Sequence, residues 1–184
     1  MDRGIDFLKS QINNAVMQHK TFVENLKDHA SQADDERFRS LCSTFLPKAT
    51  SHQQMLEDYQ REIGAEAGMA KKALGKVMGA ARDLADAPRE GDFLRLVGDI
   101  VTARQAEDTF KTFREAGRTL GIQRLAQIGE TGERDHDDYV KQANRLAQQL
   151  FVEHVLQGDT NGLNISPNAA TSVRDNAAGF GDRA

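Results

Sequence analysis

Four long stretches in which apolar side chains return at alternating steps of three and four constrain this chain more than any other feature. The first carries Ile5, Leu8, Ile12, Ala15, His19, Phe22 and Leu26. The second carries Phe38, Cys42, Phe45, Ala49, His52, Leu56, Tyr59 and Ile63. The third has Phe93, Leu96, Ile100, Ala103, Glu107, Phe110, Arg114 and Gly117, and the fourth Ile122, Leu125, Gly129, Gly132, His136, Tyr139, Ala143, Leu146 and Leu150. At 3.6 residues per turn each set falls on one face of a helix. Each stripe must be buried against another element, and four of them can cover one another in a bundle. An all-α fold is therefore expected. Composition agrees, because 6% aromatics and no Trp leave little material for strands, and Pro occurs only three times.

The breaks between stripes give the connections. The first helix is expected from about Asp2 to Asp28, ending in Ser31-Gln32-Ala33-Asp34-Asp35, where Asp34, Asp35 and Glu36 can cap the second. So short a connection makes the two neighbours antiparallel. Pro47 falls inside the second pattern and predicts a kink within one helix, and Gly64 predicts its C-terminal cap. Residues 64–91 are richer in Gly and Ala, with Ala70, Leu74, Val77, Met78, Ala81 and Leu84 suggesting a short helix before Pro88. A connection of that length can cross a bundle from end to end, which makes the second and third long helices parallel. Gly121 separates the third helix from the fourth, and Gly129 and Gly132 invite close approach of a neighbour. One domain over residues 1–157 is expected, followed by a flexible Gly-, Asn- and Ala-rich tail over 158–184.

Several classes of function are disfavoured. The net charge of -4 arises from intermixed acids and bases, so no basic stripe points to nucleic acid. No apolar run reaches membrane-spanning length and the first residues lack a signal-peptide pattern, so no membrane association and a cytoplasmic location are the expectation. Cys42 is the only cysteine and is read as a small apolar residue of the core. There is no Gly-rich phosphate loop, Gly-x-Ser-x-Gly or paired-cysteine motif. A homo-oligomer or a protein partner stays open, with no surface stripe distinct enough to name an interface.

The stripes are interrupted once each by a residue able to ligate metal: His19, His52, Glu107 and His136. A polar group buried without a partner costs about 2–7 kcal/mol, so four of them in one layer must satisfy one another or share an ion. Glu107 lies 14 residues before Gly121, and Glu133 and His136 lie 12 and 15 after it, placing them at nearly one level. His19 and His52 lie 13 before and 20 after Gln32, an offset of about 10 Å at 1.5 Å per residue. Glu133 and His136 also form a Glu-x-x-His pair on neighbouring points of one face. Against metal stands a core of hydrogen-bonded histidines in which Glu107 pairs with Arg104 or Arg114. His29 and His154, near helix ends, are assigned no chemistry. Asp135, Asp137 and Asp138 are expected in solvent, as are Lys71, Lys72 and Lys76.

Together, Ala103-Arg104-Gln105-Ala106-Glu107-Asp108, Glu133 to His136 and Lys48-Ala49-Thr50-Ser51-His52 give a chain that resembles the ferritin-like superfamily, in particular small bacterial proteins related to rubrerythrins, over about Ile5 to Gln157. The resemblance implies a ferritin-like four-helix bundle with a long crossover between helices two and three, and a metal site formed by His19, His52, Glu107, Glu133 and His136. The family pattern has Glu where this chain has His19, and Glu-x-x-His where it has Ala49-x-x-His52. Two carboxylates that bridge and neutralise a di-iron pair are thus missing, and a nitrogen-rich set suits one divalent ion, with iron, zinc and manganese as candidates. A metal-binding protein in metal handling or oxidative-stress protection is the first expectation. A metal-free structural or interaction module is the second, and an oxygen-activating enzyme the third.

Overall fold

The computed structural model describes residues 3–65 and 91–157, and all of it but the turns is helical. Four helices follow in order: α1 (Arg3–Gln32), α2 (Glu36–Glu62), α3 (Gly91–Leu120) and α4 (Gln123–Gln157). Of the crossover expected at 64–91 only Gly64, Ala65 and Gly91 are among the described residues, and the tail expected at 158–184 lies wholly outside them. None of the described helices is long and apolar enough to cross a membrane.

The local signals account for the ends. Asp35 caps α2, its side chain accepting from the N–H groups of Arg37 and Phe38. At the other end, Gly64 takes a left-handed φ of 64°, and the Ala65 N–H bonds the Gln60 carbonyl at 2.9 Å, closing the orphan carbonyls. Gly121 (φ 70°) ends α3 in the same manner, with Ile122 N–H on Gly117 O at 2.8 Å. Pro47 sits within α2, which continues through it as one helix.

Within each hairpin α1 packs on α2 and α3 on α4, and the hairpins meet with α1 against α3 and α2 against α4. Contacts at two levels fix the directions. His19 faces Phe110 while His29 bonds Asp99, so α1 and α3 run oppositely. His52 faces Phe110 and the Asp35 N–H bonds the Asp92 carboxylate, so α2 and α3 run the same way. His52 bonds Asp135 and Arg37 bonds Glu153, so α2 and α4 are antiparallel. Two apolar clusters fill the interior. One holds Phe22, Leu26, Phe38, Phe45, Leu96, Tyr139 and Leu146, and the other Ile12, Val16, Leu56, Phe110, Leu125 and Ile128.

One stripe is rotated from its expected phase. The sequence pattern on α3 runs through Phe93, Ile100, Glu107 and Arg114, whereas the buried face is Asp92, Leu96, Asp99, Ala103, Phe110, Phe113 and Gly117. Leu96, Ala103, Phe110 and Gly117 belong to both. The adjoining positions divide the other way because α4 approaches closely on one side of α3. A Cβ on Gly129 would overlap the backbone of Phe110 and Arg114, and one on Gly132 would overlap the Phe110 ring.

Candidate metal centre

Between the two apolar clusters lies a layer of three imidazoles, contributed by α1, α2 and α4. His19, His52 and His136 are 3%, 2% and 0% exposed, so the layer is closed to bulk solvent. One ring nitrogen from each can be chosen so that all three lie within 4.8 Å of one another. Aromatic rings enclose them: Phe110 lies 5.6, 5.8 and 5.1 Å from His19, His52 and His136, and Phe22 and Phe45 lie 5.5 and 5.4 Å from His136.

The surrounding hydrogen bonds assign the tautomer of each ring. His136 Nδ1 meets the Gly132 carbonyl at 2.7 Å, and a carbonyl only accepts, so Nδ1 carries the proton and Nε2 a lone pair. His19 Nδ1 meets Gln53 Oε1 at 3.0 Å. Gln53 is oriented by its amide nitrogen, which donates to Val16 O at 3.3 Å and Glu57 Oε1 at 2.8 Å, so His19 also carries its proton on Nδ1. His52 Nε2 donates to Asp135 Oδ2 at 3.1 Å, which leaves the lone pair on Nδ1. Burial works to raise the Asp135 pKa, but Arg134, Lys48 and His52 prevail and hold it below the usual carboxylate range, so Asp135 is an acceptor.

Three lone pairs are thereby left over. His19 Nε2 and His136 Nε2 face each other at 3.2 Å with no proton assigned to either, and His52 Nδ1 is buried with no hydrogen-bond partner. A proton does not readily resolve this. Burial, then the charge of His136, holds the His19 pKa down to about 3; burial holds His136 to about 3; burial, then the charge of His19, holds His52 to about 4. Neutral imidazoles that donate one N–H to a carbonyl, amide or carboxylate and offer the other nitrogen inward are what metal ligation requires. Nitrogens 2.0–2.1 Å from a tetrahedral ion stand about 3.3–3.4 Å apart, close to the spacing of His19 and His136.

The two glutamates named with the histidines lie outside this group. Glu107 is paired with Arg104 at 2.7 Å, and Glu133 is paired with Arg114 across α3 and α4. Phe110, one turn beyond Glu107, is what α3 brings to the layer. The expected axial offset between His19 and His52 is largely removed because α1 continues to Gln32 and α2 starts only at Glu36, which moves the centre of the turn. Asp135, expected in solvent, is buried and orients His52. Gln53 is a second orienting residue, and its only sequence signal is its place beside His52.

A second polar group was also unforeseen. His29, Cys42, Asp99 and Tyr139 meet in the other half of the core, one residue from each helix. His29 Nδ1 lies 2.8 Å from Asp99 Oδ2, the Tyr139 hydroxyl 3.4 Å and Cys42 Sγ 3.9 Å from the same oxygen. The signal lay in register, since His29 follows Leu26 by three and Asp99 follows Leu96 by three.

Comparison with protein-family models, curated proteins and solved structures gives no match. The fold and the layer therefore define the chain only as an all-helical protein with a closed three-histidine cluster.

Proposed function

We propose that this chain is a ferritin-like metal-binding protein that holds one divalent transition-metal ion on His19, His52 and His136. The observation that carries the reading is the convergence of one buried ring nitrogen from each of three histidines, in rings that each keep one unprotonated nitrogen because the other is hydrogen-bonded to an acceptor. The common direction of α2 and α3 is what a long crossover between them would require, and so supports the ferritin-like arrangement. Neutral imidazole nitrogens favour zinc, then ferrous iron, over manganese, which prefers oxygen. An ion held there would act as a Lewis acid with positions left for a small exogenous ligand. Gln53, Gly132 and Asp135 fix the rings, and Phe22, Phe45 and Phe110 keep bulk water out. Metal handling or oxidative-stress protection is the setting that the family resemblance implies.

Elemental analysis tests this. After reconstitution and desalting, the wild type is expected to hold about one equivalent more divalent ion than a His52→Leu/His136→Leu variant. Uptake below about a tenth of an equivalent, or equal uptake by both proteins, would remove the proposal and leave a metal-free structural module as the better account.

A further inference from the structure

The second polar group is chemically distinct from the histidine layer. His29, Cys42 and Asp99 offer a nitrogen, a sulfur and an oxygen that lie within 4.8 Å of one another, and all three residues are buried. Asp99 is completely enclosed, and its Oδ1 has no hydrogen-bond partner while Oδ2 accepts from His29 and Tyr139. A fully buried carboxylate with one bare oxygen is costly unless a cation meets it. Among the described residues Asp99 has no ion pair with a guanidinium or ammonium group: Arg95, one turn earlier on α3, pairs with Asp92 at 3.5 Å and Arg37 with Asp35 and Glu153 at 2.7 Å.

We infer that His29, Cys42 and Asp99 form a second metal site, selective for zinc, with the Tyr139 hydroxyl beside it. Thiolate and imidazole together favour zinc over calcium, magnesium or manganese, and a carboxylate completes a set that zinc commonly accepts. The ion would take the place of the proton now lying between His29 Nδ1 and Asp99 Oδ2, and would engage the bare Oδ1. Ligation forms bonds to nitrogen, sulfur and oxygen. It releases to solvent the Cys42 thiol proton, while the His29 Nδ1 proton passes to Nε2 so that the ring ligates as a neutral imidazole, with no change of oxidation state. The groups facing this position are His29 from α1, Cys42 from α2, Asp99 and Asp92 from α3 and Tyr139 from α4, so the one proton released comes from the thiol. The site is about ten residues along α1 from His19, roughly 15 Å, and so is independent of the histidine layer.

Cobalt(II) substitution separates the two sites, because Cys42 is the only sulfur nucleophile in the chain. Titrating the metal-free full-length protein with cobalt(II) is expected to produce a near-ultraviolet thiolate-to-cobalt charge-transfer band that saturates at about one equivalent and is displaced by zinc. The band should persist in His52→Leu/His136→Leu and vanish in Cys42→Ala, which keeps a small apolar side chain in the core. Absence of the band from the wild type at tenfold excess of cobalt(II), with the helical circular dichroism intact, would overturn the inference. A band that survives Cys42→Ala would do so too. Loss of the histidine layer's metal with this band retained would count against the proposed function alone.

Discussion

At the scale of the residue, the three core histidines are governed by what lies behind them. Each ring keeps a free lone pair because a Gln53 oxygen, a Gly132 carbonyl or an Asp135 carboxylate takes the proton on its other nitrogen. Removing the acceptor frees the ring to turn and to change tautomer, so Asp135→Ala is expected to weaken zinc binding by about 10- to 100-fold, measured by competition with a chromogenic chelator. The same burial sets a pH dependence. In the unfolded chain these histidines titrate near 6.5, whereas burial holds them to about 3, 4 and 3 in the folded protein. Between those values the unfolded state binds more protons. The stability of the metal-free protein is therefore fully present above pH 6.5 and is lost as pH falls towards 4. With three protons in play the slope approaches about 4 kcal/mol per pH unit, enough to unfold a domain of ordinary stability before the folded-state values are reached. Thermal unfolding between pH 7.5 and 4.5 checks this. His52→Leu/His136→Leu should flatten the decline to about a third of its wild-type slope and melt higher at pH 5.

At the scale of the element, the sequence told most about where helices run and least about which side of α3 faces inward. Stripes dense in Phe, Leu and Ile, as on α1, α2 and α4, set their own phase, and the caps at Asp35, Gly64 and Gly121 follow from side-chain and backbone chemistry legible in the sequence. On α3 the apolar residues are spread around the helix. Its buried face was decided by the glycines of the partner helix, a tertiary fact that periodicity does not carry. The same holds for the site: His19, His52 and His136 were legible because each interrupts an apolar stripe. Glu107 fell out with the phase of α3, and Glu133 turned to Arg114, a partner on another helix. His29 reads as a helix-end residue, and Asp99 and Asp135 stand beside the stripe positions Ile100 and His136, where an acid reads as solvated until a partner is seen. The glycine contact makes a paired prediction. Gly132→Ala drives a methyl group into the Phe110 ring and should cost about 1–3 kcal/mol, whereas Gly98→Ala meets nothing within 4 Å and should gain about 0.5–1 kcal/mol by chemical denaturation.

At the scale of the whole molecule, a layer only 0–3% exposed can exchange an ion only when the helices part. Release to a chelator should therefore proceed at a rate independent of chelator concentration, set by opening of the bundle, and it should speed up in a core-destabilised variant such as Gly132→Ala. Bound ion stabilises in turn: at a free concentration a hundredfold above Kd, linkage supplies about 2.7 kcal/mol per site, a rise in Tm of roughly 5–11 °C, and His52→Leu/His136→Leu should remove the share that the histidine layer contributes. The directions of the four helices carry a further consequence. The first hairpin holds His19 and His52, as well as His29 and Cys42, while the second supplies His136 and Asp99. The first half alone is thus a two-pronged grip at each site, and the third prong arrives only when the hairpins dock. An ion captured early by the amino-terminal half would act as a latch for the other, turning metal supply into a checkpoint on assembly of the chain.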